Sequence, residues 1–399
     1  YGMRYKSYDA FSNFYDDVKL DIKLQSSVVD GHDVAFFAAP FEAFPLRFKL
    51  QGQGKGTVSN LQLKNLDVRF GKMGQFRGKA QLNGLPNVTN TFIDAEVTQL
   101  LATQKDIEYL AQMPLSNSLD KFGLIRFDGT FTGFYQDFVA YGNFHTALGT
   151  ANTDINMKIS PDFDDYTYSG NVNLVDFDLG KLTGQKLLGK LSTQAKLQAH
   201  GIDFATMEAQ TDATISRFDF NGYAYHDVKL KGSLNKQVIQ SDLVVDDDHL
   251  TLDFKGSIDL SKPETHFKFN AFLANANLQP LGFDTMDLTI GAQAQIDFAW
   301  RDLDHNKGSI ALQDISIARN EELYQINHID FTSSVSNTNR VLKLNTDNIT
   351  AEANGQFNIL ELKNTALIAL HKLIPEYFTA PATQNSLAQN FSFSANVQS

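Results

Sequence analysis

Leu250-Thr-Leu-Asp-Phe-Lys-Gly-Ser-Ile-Asp-Leu260 decides the fold of this chain. Leu250, Leu252, Phe254, Gly256, Ile258 and Leu260 form one set; Thr251, Asp253, Lys255, Ser257 and Asp259 form the other. Side chains of an extended strand alternate between two faces, so the segment reads as a strand with one apolar and one wet side. The same phase returns with Ile290, Ala292, Ala294, Ile296, Phe298 and Trp300 against Gly291, Gln293, Gln295, Asp297 and Ala299. Such runs are long for strands, which usually have about five or six residues. A chain that makes many of them builds a large sheet with a continuous apolar face, and function turns on what that face meets.

Composition narrows the classes. Of 399 residues, 42% are hydrophobic and 20% charged, the balance of a folded chain. Thirty-two Phe and 13 Tyr against a single Trp favour sheet. Length alone would suggest about two or three domains, but all-β chains often run longer as one unit. The net charge of −12 and the absence of a Lys/Arg run argue against a nucleic-acid surface. With no Cys, disulfides, thiolate metal sites and a cysteine nucleophile are excluded, and the redox compartment stays open. No stretch approaches the ~20 apolar residues of a membrane-spanning helix, and no segment of these residues reads as a signal peptide. The start at Tyr1 and the end inside an alternating run, Phe391 to Val397, read as cuts through a longer polypeptide.

Degenerate repetition underlies the pattern. Leu191–His200 matches Leu288–Asp297 in apolar phase, and Tyr223–Leu230 matches Tyr324–Phe331. Leu250–Leu260 matches Ile349–Ile359, and Tyr166–Gly180 matches His266–Pro280, all at offsets near 100 residues. A shorter likeness links Phe48–Thr57 to Ile125–Phe134. Multi-strand blocks rather than a short-period solenoid are expected, at about 48–123, 124–190, 191–287 and 288–399 of one continuous segment, 1–399. Helical spacing appears in Val97, Leu100, Leu101, Ile107, Leu110 and Met113, more clearly from Leu362 to Ile374, and weakly from Lys181 to Leu191. Residues 380–386 read as a loop. Gly129, Gly133, Gly170, Gly232, Gly256 and Gly355 point to bulges or sharp curvature.

Catalytic constellations are absent. There is no His-Glu-x-x-His, no Gly-x-Ser-x-Gly and no phosphate-cradling Gly-x-x-x-x-Gly-Lys-Ser/Thr, so no catalytic residue, metal site or cofactor is expected. Asp246-Asp-Asp-His249, Asp162-Phe-Asp-Asp165 and Asp302-Leu-Asp304 read as solvated turns, where Asp is common for its turn chemistry. The first lacks the Gly and the bidentate Glu of a calcium loop. Glycines in Gln51–Thr57 sit within alternation and read as bends. His226 and His328 fall at nearby repeat positions, one residue out of register, as solvated strand residues.

The apolar face then carries the question. One-sided sheets usually pack on a second sheet as a sandwich core. Sandwiches, however, use shorter strands in domains of ~100 residues. A long sheet folded over along its length would leave a trough, each strand adding ~4.8 Å. Such a trough suits acyl chains, which gain roughly 0.8 kcal/mol per buried methylene.

Three stretches carry a family likeness: Leu124 to Phe144 with its repeated Phe and Gly, Gly-Leu-Pro-Asn-Val within Gly84 to Asp94, and Phe-Phe-Ala-Ala-Pro at Phe36 to Pro40. With the strand repeats and short helices, the chain resembles the middle of a TamB-type protein of the AsmA-like superfamily, in the form found in Bacteroidota. That resemblance implies a twisted β-groove in a periplasmic chain anchored in the inner membrane. It implies phospholipid movement toward the outer membrane, a partner barrel of the TamA/BamA class, and no catalytic residues. The expectation is therefore an all-β, taco-like groove that conducts acyl chains passively, with membranes contacted through parts outside this segment. Its lining would be Ile125, Phe127 and Phe131, then Leu250, Leu252, Phe254 and Ile258, then Ile290, Ile296 and Phe298. The alternative is a scaffold whose sheet edges template strands of outer-membrane proteins. An outer-membrane barrel is disfavoured, since aromatic girdles and ~10-residue strands with alternating short and long loops are not evident.

Overall fold

A computed structural model describes residues 2–35, 46–115, 117–320, 322–336, 339–377, 379 and 389–398. The Phe36 to Pro40 run and the loop expected at 380–386 lie outside them. The chain divides into two units, Tyr1–Ile202 with Thr211–Phe220, and Asp203–Gln210 with Asn221–Ser399.

Unit 1 contains β1 (Gly2–Arg4), β2 (Lys19–Asp30), β3 (Arg47–Gly56), β4 (Asn60–Phe70), β5 (Gly74–Asn83) and β6 (Phe92–Ala102). It continues with β7 (Ile125–Phe134), β8 (Asp137–Thr146), β9 (Gly149–Ile159), β10 (Tyr166–Asp178), β11 (Leu188–His200) and most of β12 (Glu208–Phe220). From β1 to β11 each strand pairs antiparallel with the next in sequence. Thr193 Oγ1 donates to the Thr214 carbonyl at 3.0 Å, tying β11 to β12. Its short helices are α1 (Phe14–Asp17), α2 (Gly31–Ala35), α3 (Gln104–Ala111) and α4 (Leu179–Thr183).

Unit 2 contains β13 (Tyr223–Tyr225), β14 (Val228–Asn235), β15 (Val238–Asp247), β16 (Leu250–Asp259), β17 (Thr265–Asn277) and β18 (Leu288–Trp300). Then come β19 (Asn306–Arg319), β20 (Glu322–Ser336), β21 (Asn339–Thr346), β22 (Ile349–Gln356), α5 (Ile359–Leu373) and β23 (Asn390–Val397). From β14 to β23 each strand again pairs antiparallel with its successor. Among the described residues the first and last strands of neither unit pair with each other, so each is an open sheet rather than a barrel. The all-β expectation holds.

The repeat is visible as a succession of elements. β10, β11, β12, β15 and β16 correspond in order to β17, β18, β19, β21 and β22, with the first three pairs matching in length to within one residue. The continuous β20 stands where β13 and β14 are two pieces. The interruption falls at His226-Asp227, where Asp227 is left-handed (φ 50°). Despite the one-residue offset, His226 and His328 make a similar bond: both amides donate to an Asp, Asp247 at the end of β15 and Asp347 just past the end of β21.

Two helical expectations need correction. Val97, Leu100 and Leu101 lie in β6, and the helix is confined to α3. Pairing across β6 shifts between Val97 and Leu100, so one extra residue restores the same face after three positions and imitates helical spacing. At Lys181 the helix ends early, because Gly184 (φ 77°) caps α4 and β11 starts at Leu188. The Leu362 to Ile374 helix is α5, ending at Leu373.

The bulges also sit elsewhere than expected. Ser26, Asn65, Asp176 and Asp314 adopt left-handed backbone where the ladders shift or skip a residue. Small polar residues tolerate that conformation. Gly129 instead stands in unbroken ladder opposite Gly142, where a Cβ on either would come within about 2.2 Å of a carbonyl on the neighbouring strand.

Candidate functional site

Strand register turns the alternation of single strands into apolar rows that run across each sheet. In unit 2, Leu243, Phe254, Ala271, Ala294, Leu312 and Ile329 stand opposite one another in succession from β15 to β20. Phe269, Ile296, Ile310, Phe331 and Leu344 form the next row, and Ile239, Ile258, Phe267 and Phe298 a third. Leu252 opposes Leu273, while Leu250 and Ile290 both oppose Ala276. All seven unit 2 residues expected to line a groove therefore share one face. Phe254 and Phe269 rings lie 4.8 Å apart by centroid, a spacing favourable for offset aromatic contact.

In unit 1 the same construction brings together Ile125, Phe127 and Phe131. Leu100, Phe127, Phe144, Ala151 and Leu174 make one row; Ala80, Ala95, Phe131, Ala140 and Ile155 make another. The Gly129–Gly142 pair lies between them, and the Phe127 ring extends toward it. Phe127 and Phe144 are 4.6 Å apart, as are Phe131 and Phe138. Large rings flanking glycines keep the face filled where the backbones approach closely.

Burial distinguishes these residues. Phe127 (4% exposed) and Phe298 (6%) are sealed. Ile125, Phe131, Leu250, Leu252, Phe254, Ile258, Ile290 and Ile296 are half-buried. The opposite face is mainly polar: Asp253, Lys255, Asn270 and Gln295 are exposed there, beside exposed Val244 and Phe272. Lys255 pairs with Asp242 at 3.3 Å and Lys268 with Asp297 at 3.0 Å, while His266 lies 2.7 Å from Asp297. Hydrogen bonding from His266 and then Lys268 holds the Asp297 carboxyl below its ordinary value. Exposed pairs of this kind contribute little to stability.

Two acidic turns hold buried carboxylates that the sequence reading placed in water. Asp304 is nearly sealed on the apolar side with Arg340, whereas its neighbour Asp302 faces solvent and His305. Asp247 is 9% exposed and accepts from Tyr223 Oη, the His226 amide and the His249 amide. No periodicity marks either residue, because the groups that bury them, Tyr223 and His226 for Asp247 and Arg340 for Asp304, lie 20 or more positions away in sequence. Asp162-Phe-Asp-Asp165 is the exposed turn expected, with Ser160 bonded to Asp164 and Asp165.

Among the described residues no cluster of three or more His, Cys, Asp or Glu is placed to hold a metal ion, and no helix is long and apolar enough to cross a membrane. No protein-family model, curated protein or solved structure matches the chain.

Proposed function

We propose that this chain is a groove segment of a lipid-transfer protein, conducting phospholipid acyl chains along the apolar rows while headgroups stay in water. The observation that carries the reading is the half-burial of those rows. A sandwich core seals its inward residues, yet most of the expected lining here keeps part of its surface accessible over many successive strands. A uniform apolar track gives each methylene a similar environment at every step, so sliding needs no catalytic group. The TamB-type resemblance extends the proposal: a periplasmic location, a parent chain anchored in the inner membrane of a Gram-negative bacterium, and a partner barrel of the TamA/BamA class in the outer membrane.

Photo-crosslinking residues at Phe254 and Phe131, with Asp253 as outward control, test it in cells labelled with ³²P-phosphate. Lipid adducts at the two Phe positions and none at Asp253 support conduction. A folded, correctly localised protein without adducts at either Phe position would overturn it and favour the strand-templating scaffold.

A further inference from the structure

We propose that unit 1 carries a binding cleft for a phosphate-bearing anion, walled by Arg47, Lys49, Arg69 and Lys72 and held open by α3. The cleft has a volume of about 610 Å³ at the Arg47 end of β3, beside the β4–β5 turn. Its four cations are spread along the sequence, so no basic run announces them; strand pairing gathers them.

Register places Lys49 directly opposite Arg69. Like charges in that position destabilise a sheet, so the pair is a feature to be explained in a chain of net charge −12. The two nearest carboxylates each have a closer partner than the cleft cations. Asp67 lies 3.2 Å from Arg77, accepts from Gln75 at 2.8 Å and makes a looser ion pair with Arg69 at 3.7 Å. Asp30, opposite Arg47 in the ladder, bonds to His32, and the Arg47 charge adds a weaker attraction. Among the described residues Arg47, Lys49 and Lys72 have no carboxylate within ion-pair distance. Asp106, fully buried behind the turn, is occupied by four hydrogen bonds.

The walls are fixed before any ligand arrives. Asp106 on α3 accepts from the Lys72 and Met73 amides at 2.8 and 3.0 Å, setting the β4–β5 turn. Tyr109, one turn further along α3, accepts from the Arg47 amide at 2.7 Å and donates to the Arg47 carbonyl at 3.0 Å. One short helix thus positions both sides of the cleft, which lowers the ordering cost of binding. Guanidinium and ammonium donors converging on one cleft match the acceptor oxygens of a phosphate group. Exposed Val28 and Met73 at the rim, each 57% accessible, offer an apolar flank for a phosphate ester. A lipid headgroup and a free phosphate ester share this chemistry, and the site does not depend on the conduction reading.

The test uses the full chain with two probes. Calorimetric titration with glycerol 3-phosphate reads free-ester binding. Co-sedimentation with vesicles of equimolar phosphatidylglycerol and phosphatidylcholine, against pure phosphatidylcholine, reads headgroup binding. Lys49→Gln combined with Arg69→Gln should weaken binding by roughly tenfold. Lys79→Gln with Lys158→Gln, which removes equal charge from ion pairs elsewhere in unit 1, should change it less than about twofold. The cleft double variant should melt no lower than the parent, since a repulsive pair is removed; a purely structural role predicts a loss. Binding to mixed vesicles alone assigns the headgroup, binding of glycerol 3-phosphate assigns the free ester, and either supports the cleft. No binding to any probe, or equal weakening in the control variant, would overturn it.

Discussion

Arg340 Nη1 lies 3.6 Å from Asp304 Oδ1, with side chains only 5% and 10% exposed, on the face that β21 otherwise fills with Leu342 and Leu344. The guanidinium also donates to the Asp304 and Leu303 carbonyls and to Asn306 Oδ1. Asp304 Oδ1 accepts from the Ile359 amide at the start of α5. A buried ion pair therefore ties the β18–β19 turn, β21 and α5 together.

Breaking this pair from one side should be costly, because the remaining charge stays buried. Arg340→Met is expected to lower unfolding free energy by about 3 kcal/mol in a denaturant titration. Asp304→Asn should cost less, since it can still accept from the Ile359 amide. Equal, negligible losses in both variants would show that solvent reaches the pair.

Asp106 gives a pH dependence of defined sign. Burial alone would raise its carboxyl, but hydrogen bonds from the Thr103 hydroxyl and amide, then from the Met73 and Lys72 amides, hold it at about 2 against 3.8 for a free group. Because the folded value is the lower, the unfolded chain binds the extra proton. The contribution, about 2 kcal/mol, is complete above pH ~4 and disappears as pH falls through about 2. Asp106→Asn should be less stable than the parent at pH 7, and thermal melts should show the gap closing near pH 2.

At the Gly129–Gly142 pair, a Cβ on Gly142 would stand 2.2 Å from the Asp128 carbonyl and 2.7 Å from the Phe127 ring. Gly142→Ala should destabilise unit 1 by roughly 1–3 kcal/mol. Adding Phe127→Leu should recover part of the loss if the ring is the obstruction. A double-mutant cycle on denaturant midpoints measures this.

Phe254 is half-buried, so Phe254→Asn should cost only about 1–2 kcal/mol of stability. If the rows conduct acyl chains, the same substitution should reduce lipid adducts several-fold at a crosslinker placed at Ile296, across two strand interfaces. Unchanged adducts with a folded variant would count against a continuous track.

Period-two alternation made the strands legible, together with the apolar set on each and the repeat of about 100 residues. Those properties are local: the side-chain direction of an extended chain is set by its backbone, and Leu250 to Leu260 needed no partner to declare its two faces. Where one residue is inserted, as between Val97 and Leu100, the local signal misleads, because a bulge and a helical turn both return a side chain to the same side after three positions.

Tertiary pairing alone decided the rest. It set Phe254 opposite Ala271, left Phe298 sealed while Ile296 stayed half-buried, and drew Asp304 out of solvent onto Arg340. It also gathered Arg47, Lys49, Arg69 and Lys72 around one cleft. Burial and charge proximity depend on which strand lies alongside, and that is fixed by ladders closing between residues distant in sequence. A single strand's pattern names its faces; only its neighbours determine what those faces enclose.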